Sequence, residues 1–150
     1  MVLLPSLRGV RPRPLLPVRG DETLNEEMMA SRPTVASHAW LIHVGSSENG
    51  FLHAGTILPL DGIRSVRFGR GGNEGLSIER VGSVLHLSIM LGWVSSAHAE
   101  LRVVKSSTGL EFDLRDLGSR NGTHIERRAV PGIARLQTGQ LFEVGRSFWM

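Results

Sequence analysis

Downstream of Ser37 the chain is a succession of short apolar runs cut by turn residues. "HAWLIHV" (38–44), "GTILPL" (55–60) and "IRSVRFG" (63–69) come first, the last two split by Asp-Gly at 61–62. "SVLHLSI" (83–89) and "HAELRVV" (98–104) alternate apolar and polar positions with period two, the pattern of a strand with one buried face. "GLEFDLRD" (109–116) alternates too, with Leu110, Phe112 and Leu114 on one face and Glu111, Asp113 and Arg115 on the other. "QLFEVG" (140–145) and "SFWM" (147–150) complete the series. A helix is compatible with only two places, "NEEMMA" and the region around Ile78. Short strands at regular spacing predict an all-β sandwich or barrel.

The first quarter reads differently. Five of the seven prolines fall within residues 1–33, and proline interrupts both helix and sheet. Residues 1–36 are therefore expected to be a disordered lead, Pro/Arg-rich and then acidic in "DETLNEEMM" from Asp21, with the folded domain at 37–150. The lead also carries the charge. Arg8, Arg11, Arg13 and Arg19 precede any acid, so the formal charge of +3 leaves the rest of the chain close to neutral. No basic body remains for direct nucleic-acid binding. Cysteine is absent, which excludes disulfides, thiolate metal sites and a Cys nucleophile, and fits a cytoplasmic setting. No apolar run has the length of a membrane span, so no membrane partner is expected.

Three polar clusters lie between the expected strands: Gly69-Arg70, Ser95 and His98 in "WVSSAHAEL", and Ser119-Arg120-Asn121-Gly122 in "DLGSRNGTH". Asn-Gly there is a hairpin signal, yet the run has more hydrogen-bonding capacity than a turn needs. Ser95, His98 and Asp116 invite a hydrolase triad, but no G-x-S-x-G elbow accompanies them. His38 and His43 differ by five and point to opposite faces of a strand, so no metal site is expected. "GRGGNEG" lacks the Lys-Ser/Thr of a nucleotide-binding loop, and no cofactor is expected. Trp40, Trp93 and Trp149 read as core or loop anchors.

Gly69-Arg70, then Ser95-x-x-His98, then Asn121-Gly122, in that order on a β pattern, resembles the forkhead-associated (FHA) domain family. The ending "LQTGQLFEVG" is similar to the family's last hairpin, and the resemblance covers about residues 38–150. It implies a β-sandwich of about eleven strands whose loops at one end bind a phosphothreonine peptide, with no catalysis. By that resemblance Arg70, Ser95, Ser119, Arg120 and Asn121 bind the phosphopeptide, while Gly69, His98 and Gly122 support the site. The residue chemistry agrees, because a phosphothreonine brings close to two negative charges and three acceptor oxygens. Those require guanidinium and hydroxyl donors. Departures are a long Arg70-to-Ser95 interval, read as an insertion around Asn73 to Gly82, an Ala97 where Arg is frequent, and Arg120 where Thr or Ser is frequent. "SSAHAEL" and "VGRSFWM" most resemble FHA domains at the N-termini of bacterial sigma-54-dependent transcriptional regulators. The implied partners are a phosphothreonine protein, or the chain's own lead phosphorylated at Thr23 or Thr34, and a Ser/Thr kinase. A phospho-independent interaction domain of the same fold is the alternative.

Overall fold

Alternating burial organises the chain into two stacked sheets. The computed structural model describes residues 38–48, 50, 53–73 and 75–150, and every regular element among them is a strand. These are β1 (Trp40–Ser46), β2 (Ile57–Pro59), β3 (Ser65–Arg70), β4 (Leu76–Val81), β5 (Val84–Ile89) and β6 (Ala99–Ser106). They continue with β7 (Gly109–Asp116), β8 (Thr123–Ile125), β9 (Arg128–Ala129), β10 (Ile133–Leu136), β11 (Phe142–Val144) and β12 (Ser147–Trp149). One sheet runs β2-β1-β12-β11-β8-β9 and the other β10-β7-β6-β3-β5-β4. All the named pairings are antiparallel except β3 with β5. Thr23, Thr34 and the acidic "DETLNEEMM" lie outside the described residues, and so does the whole of the expected lead, 1–36.

The core is the apolar face that each sheet turns toward the other. In β5, Leu85, Leu87 and Ile89 are buried while Val84, His86 and Ser88 are half-buried, as period two requires. Phe68 of β3 sets its ring edge against Trp149, at 5.3 Å between centroids, and against Phe142, at 5.8 Å, both from the opposite sheet. Such edge-to-face pairs join the two sheets at a fixed spacing. Phe68 immediately precedes Gly69-Arg70, so the core contact also fixes where β3 ends.

Register then brings the polar clusters to one end. Phe68 pairs with Ala99, and Ala99 with Asp116, so the end of β3, the start of β6 and the end of β7 lie together. Across the sandwich Thr123 of β8 pairs with Val144 of β11, just before the turn at 145–146.

Four expectations change. The region around Ile78 is a strand, β4, paired with β5 from Leu76↔Ile89 to Val81↔Val84 across the two-residue turn Gly82-Ser83. Hairpin pairing overrides the local helical propensity there. β4 occupies most of the stretch read as an insertion, becomes the sixth strand of its sheet at the edge, and brings the total among the described residues to twelve. Asn121-Gly122 is not a hairpin turn, and Asp61-Gly62, read simply as a turn, is one that changes sheets. β2 and β3 belong to different sheets, as do β7 and β8, so both turns carry the chain across the sandwich. Trp40 is 55% exposed rather than a core anchor, whereas Trp149 is fully buried.

Removing the Phe68 ring should leave a cavity shared by both sheets. We expect Phe68→Ala to lower the unfolding free energy by about 3–5 kcal/mol. The check is a fall in urea midpoint at unchanged slope.

Candidate functional site

The end of β3 is held directly by the next loop. The Arg70 backbone N–H donates to the Ser95 carbonyl at 2.8 Å, and the His98 N–H donates to the Phe68 carbonyl at 2.9 Å. The main chains approach so closely that a Cβ at position 69 would run into the Ser96 carbonyl oxygen. Glycine is therefore required at 69 for space.

His98 joins this loop to the 117–122 crossover. Its side chain is fully buried. Nδ1 accepts from the Ser95 backbone N–H at 3.0 Å, so Nε2 carries the proton and donates to the Gly122 carbonyl at 3.0 Å. Burial holds its pKa below the usual 6.5, against the opposing pull of the Gly122 carbonyl. A second proton on Nδ1 would face the Ser95 N–H, so the arrangement needs the neutral ring. Gly122 has φ 78°, in the left-handed region, and its carbonyl is aimed at His98 from that conformation.

Asp116 shapes the crossover from inside. Its carboxylate accepts from the backbone N–H groups of Gly118 and Ser119, both at 2.8 Å, and from the hydroxyls of Ser119 and Thr123, both at 2.7 Å. Burial opposes the charge, but these donors prevail and the pKa sits below the usual 3.8. Ser119 gives its proton to Asp116 and accepts from the Gly122 N–H at 2.9 Å, so its hydroxyl is committed within the loop.

The remaining groups face outward. The Arg120 backbone N–H donates to Ser95 Oγ at 3.0 Å, which leaves the Ser95 hydroxyl proton free to donate. Asn121 donates from Nδ2 to the Trp93 carbonyl at 2.8 Å, leaving one N–H and Oδ1 open. The Trp93 ring is covered by the Arg146 guanidinium at 3.5 Å, from the β11–β12 turn. Arg70 and Arg120 are exposed, and neither guanidinium has an acidic partner among the described residues. Two exposed arginines are thus bonded through their main chains to Ser95, whose own hydroxyl proton is free.

All eight singled-out residues lie together here, Gly69 and Arg70 at the end of β3 and the other six in the two interlocked loops. Sequence reasoning overlooked Asp116 as the loop's organiser, although D-x-x-S is a signature for a side chain capping its own turn. It also missed the Trp93 carbonyl and Arg146, which no local signal reveals. Ser95, His98 and Asp116 form no relay, because both His98 nitrogens engage main chain and Asp116 engages its own loop. Among the described residues no group of three His, Asp or Glu converges on a metal-sized site. None of them forms a helix able to cross a membrane.

A sandwich with loop-borne donors at one end has the architecture of a binding module. The FHA domain family model matches residues 66–145, and the chain belongs to that family. Among solved structures, it is similar to the FHA domain of the CT664 protein from Chlamydia trachomatis. That match has TM-score 0.55 and 18% identity over 76% of this chain and 95% of the other. Full-length yeast Pml1p matches with TM-score 0.56 and 17% identity over 82% and 85% of the two chains. An FHA domain from a study of phosphothreonine-dependent FHA interactions matches with TM-score 0.50 and 20% identity over 75% and 94%. A search of curated proteins gave no match.

His98 and His43 both have lowered pKa values because of burial. Their contribution to stability is complete above pH 6.5 and is lost as pH falls through the lower folded values. We expect unfolding free energy to drop as pH falls below 6.5, because the unfolded histidines take up protons that the folded ones refuse. His98→Gln should show a shallower slope in pH-dependent urea denaturation.

Proposed function

We propose that the chain captures a phosphothreonine peptide between Arg70, Ser95 and Arg120, and is not an enzyme. The observation that carries this reading is a pair of exposed arginines with no acidic partner among the described residues, both bonded through their backbone N–H groups to Ser95, whose hydroxyl proton is free. A phosphate offers three acceptors to such donors, and charge-assisted bonds to it are about twice as strong as neutral ones. Arg70 contacts phosphate oxygens, Ser95 donates its hydroxyl, and Arg120 supplies a second cation from the crossover. Asn121 uses its open N–H and Oδ1 to grip the peptide main chain. Ser119 serves the site by holding the crossover in shape, since its proton is already given to Asp116. Gly69, His98 and Gly122 keep the loops in register. The solved relative studied for phosphothreonine-dependent interactions supports the ligand class.

The partner is then a phosphothreonine protein made by a Ser/Thr kinase, or the chain's own lead phosphorylated at Thr23 or Thr34. The setting we propose is the regulatory domain of a bacterial sigma-54-dependent transcriptional activator, acting in the cytoplasm. Its "SSAHAEL" and "VGRSFWM" stretches support that placement.

Calorimetric titration with a phosphothreonine peptide library tests the reading. Phosphorylated peptides should bind and their unphosphorylated forms should not. Arg70→Ala should weaken binding by about 10- to 100-fold, the scale of one hydrogen bond to a charged group. Equal binding of both peptide forms would favour the phospho-independent interaction domain instead.

A further inference from the structure

A second recess adjoins the phosphate-binding loops, on the outer face of the sheet that contains β3. Its volume is about 300 Å³, and Arg67, Arg70, His86, Ala97, Glu100 and Leu117 are among its lining residues. His86, Arg67 and Glu100 are direct cross-strand neighbours on β5, β3 and β6. Arg70 belongs both to this recess and to the proposed phosphate site, so a peptide seated on one lies within reach of the other.

The charge of the recess is lopsided. Glu100 is its single acid among the described residues, and it is only 8% exposed. Arg102 Nε meets one Glu100 oxygen at 3.0 Å, and Arg67 Nε reaches the other at 3.5 Å, the long limit of a hydrogen bond. The side chain of Arg67 remains 57% exposed. Two guanidinium groups, those of Arg67 and Arg102, contact the one carboxylate, and Arg70 lines the same recess, so positive side chains outnumber the acid and the opening is cationic. Ala97 and Ser96 on its rim are too short to fill or neutralise it.

We propose that this recess takes an acidic side chain flanking the phosphothreonine, with Arg67 as the specificity-determining residue. The proposal rests on the phosphothreonine reading of the neighbouring site. The acid enters beside Arg67, whose guanidinium exchanges its long contact with Glu100 for the incoming carboxylate, while Arg102 keeps Glu100 satisfied. Apolar Leu117 and Ala97 contact the methylene of the same side chain.

The test is calorimetry on the full chain. The reference is a phosphothreonine peptide with alanine at the three positions on each side, and the panel places one Asp at each position in turn. At one position Asp should tighten binding by about fivefold, the scale of one partly screened ion pair. Arg67→Gln should abolish that gain while leaving the alanine-flanked peptide unchanged. Glu100→Gln, which removes the opposing charge, should enlarge the gain. Equal affinity across the panel, or a gain that survives Arg67→Gln, overturns the proposal while the phosphothreonine site stands. Failure of the alanine-flanked phosphopeptide to bind at all, with the Asp panel equally inert, overturns both.

Discussion

One buried imidazole ties the binding loops together. His98 has two ring nitrogens and spends one on each of two loops, accepting from the Ser95 N–H and donating to the Gly122 carbonyl. Neither bond can be replaced by water, because the ring is sealed from solvent. Losing either partner would leave a buried polar atom unpaired, which carries a larger penalty than the bond is worth when made. Gly69 matters for the same reason. Only without a Cβ can β3 come close enough to the Ser96 carbonyl for Arg70 to bond to Ser95. Positions of Arg70, Ser95 and Arg120 are thus set by main-chain contacts, which leaves their outer donors uncommitted.

That division between committed and open groups separates the scaffold from the site. Asp116 absorbs four donors and fixes the crossover. The charged outer face of the same sheet is largely self-paired: Arg135 engages Asp113 and Glu111, and Arg102 engages Glu100. Against that background Arg70 and Arg120, which have no acidic partner among the described residues, stand out at the end of the sandwich. A ligand meeting donors already held in place loses less ordering entropy on binding. Arg146, stacked on Trp93, extends the same rigidity to Asn121, whose amide is aimed by the Trp93 carbonyl.

The sandwich was legible in the sequence where burial is one-sided. β5 shows it best, with Leu85, Leu87 and Ile89 all buried as their spacing requires. The order of Gly-Arg, Ser-x-x-His and Asn-Gly pointed to loops that the structure brings to one end. Misreadings have a common physical origin: local patterns do not state which strands pair. Asp61-Gly62 and Asn121-Gly122 announce a reversal, but the same left-handed geometry serves a crossover between sheets as well as a hairpin. The β8–β9 hairpin went unseen because its turn is made by Glu126 and Arg127, with φ 47° and 69°, residues that seldom signal such a turn. β4 was obscured because its strand character comes from pairing with β5 rather than from its own composition. The commitment of the Ser119 hydroxyl to Asp116 depends on loop geometry that residue type alone does not carry.

The account makes the three loops a single, pre-built phosphate receptor, and residue-resolved NMR tests that most directly. Uniformly labelled protein titrated with a phosphothreonine peptide should show its largest amide shifts at Gly69-Arg70, Ser95-Ser96 and Ser119 to Asn121. His98 should keep its neutral Nε2-protonated form throughout. Shifts centred elsewhere on the sandwich, or a change in His98 protonation on binding, would contradict it.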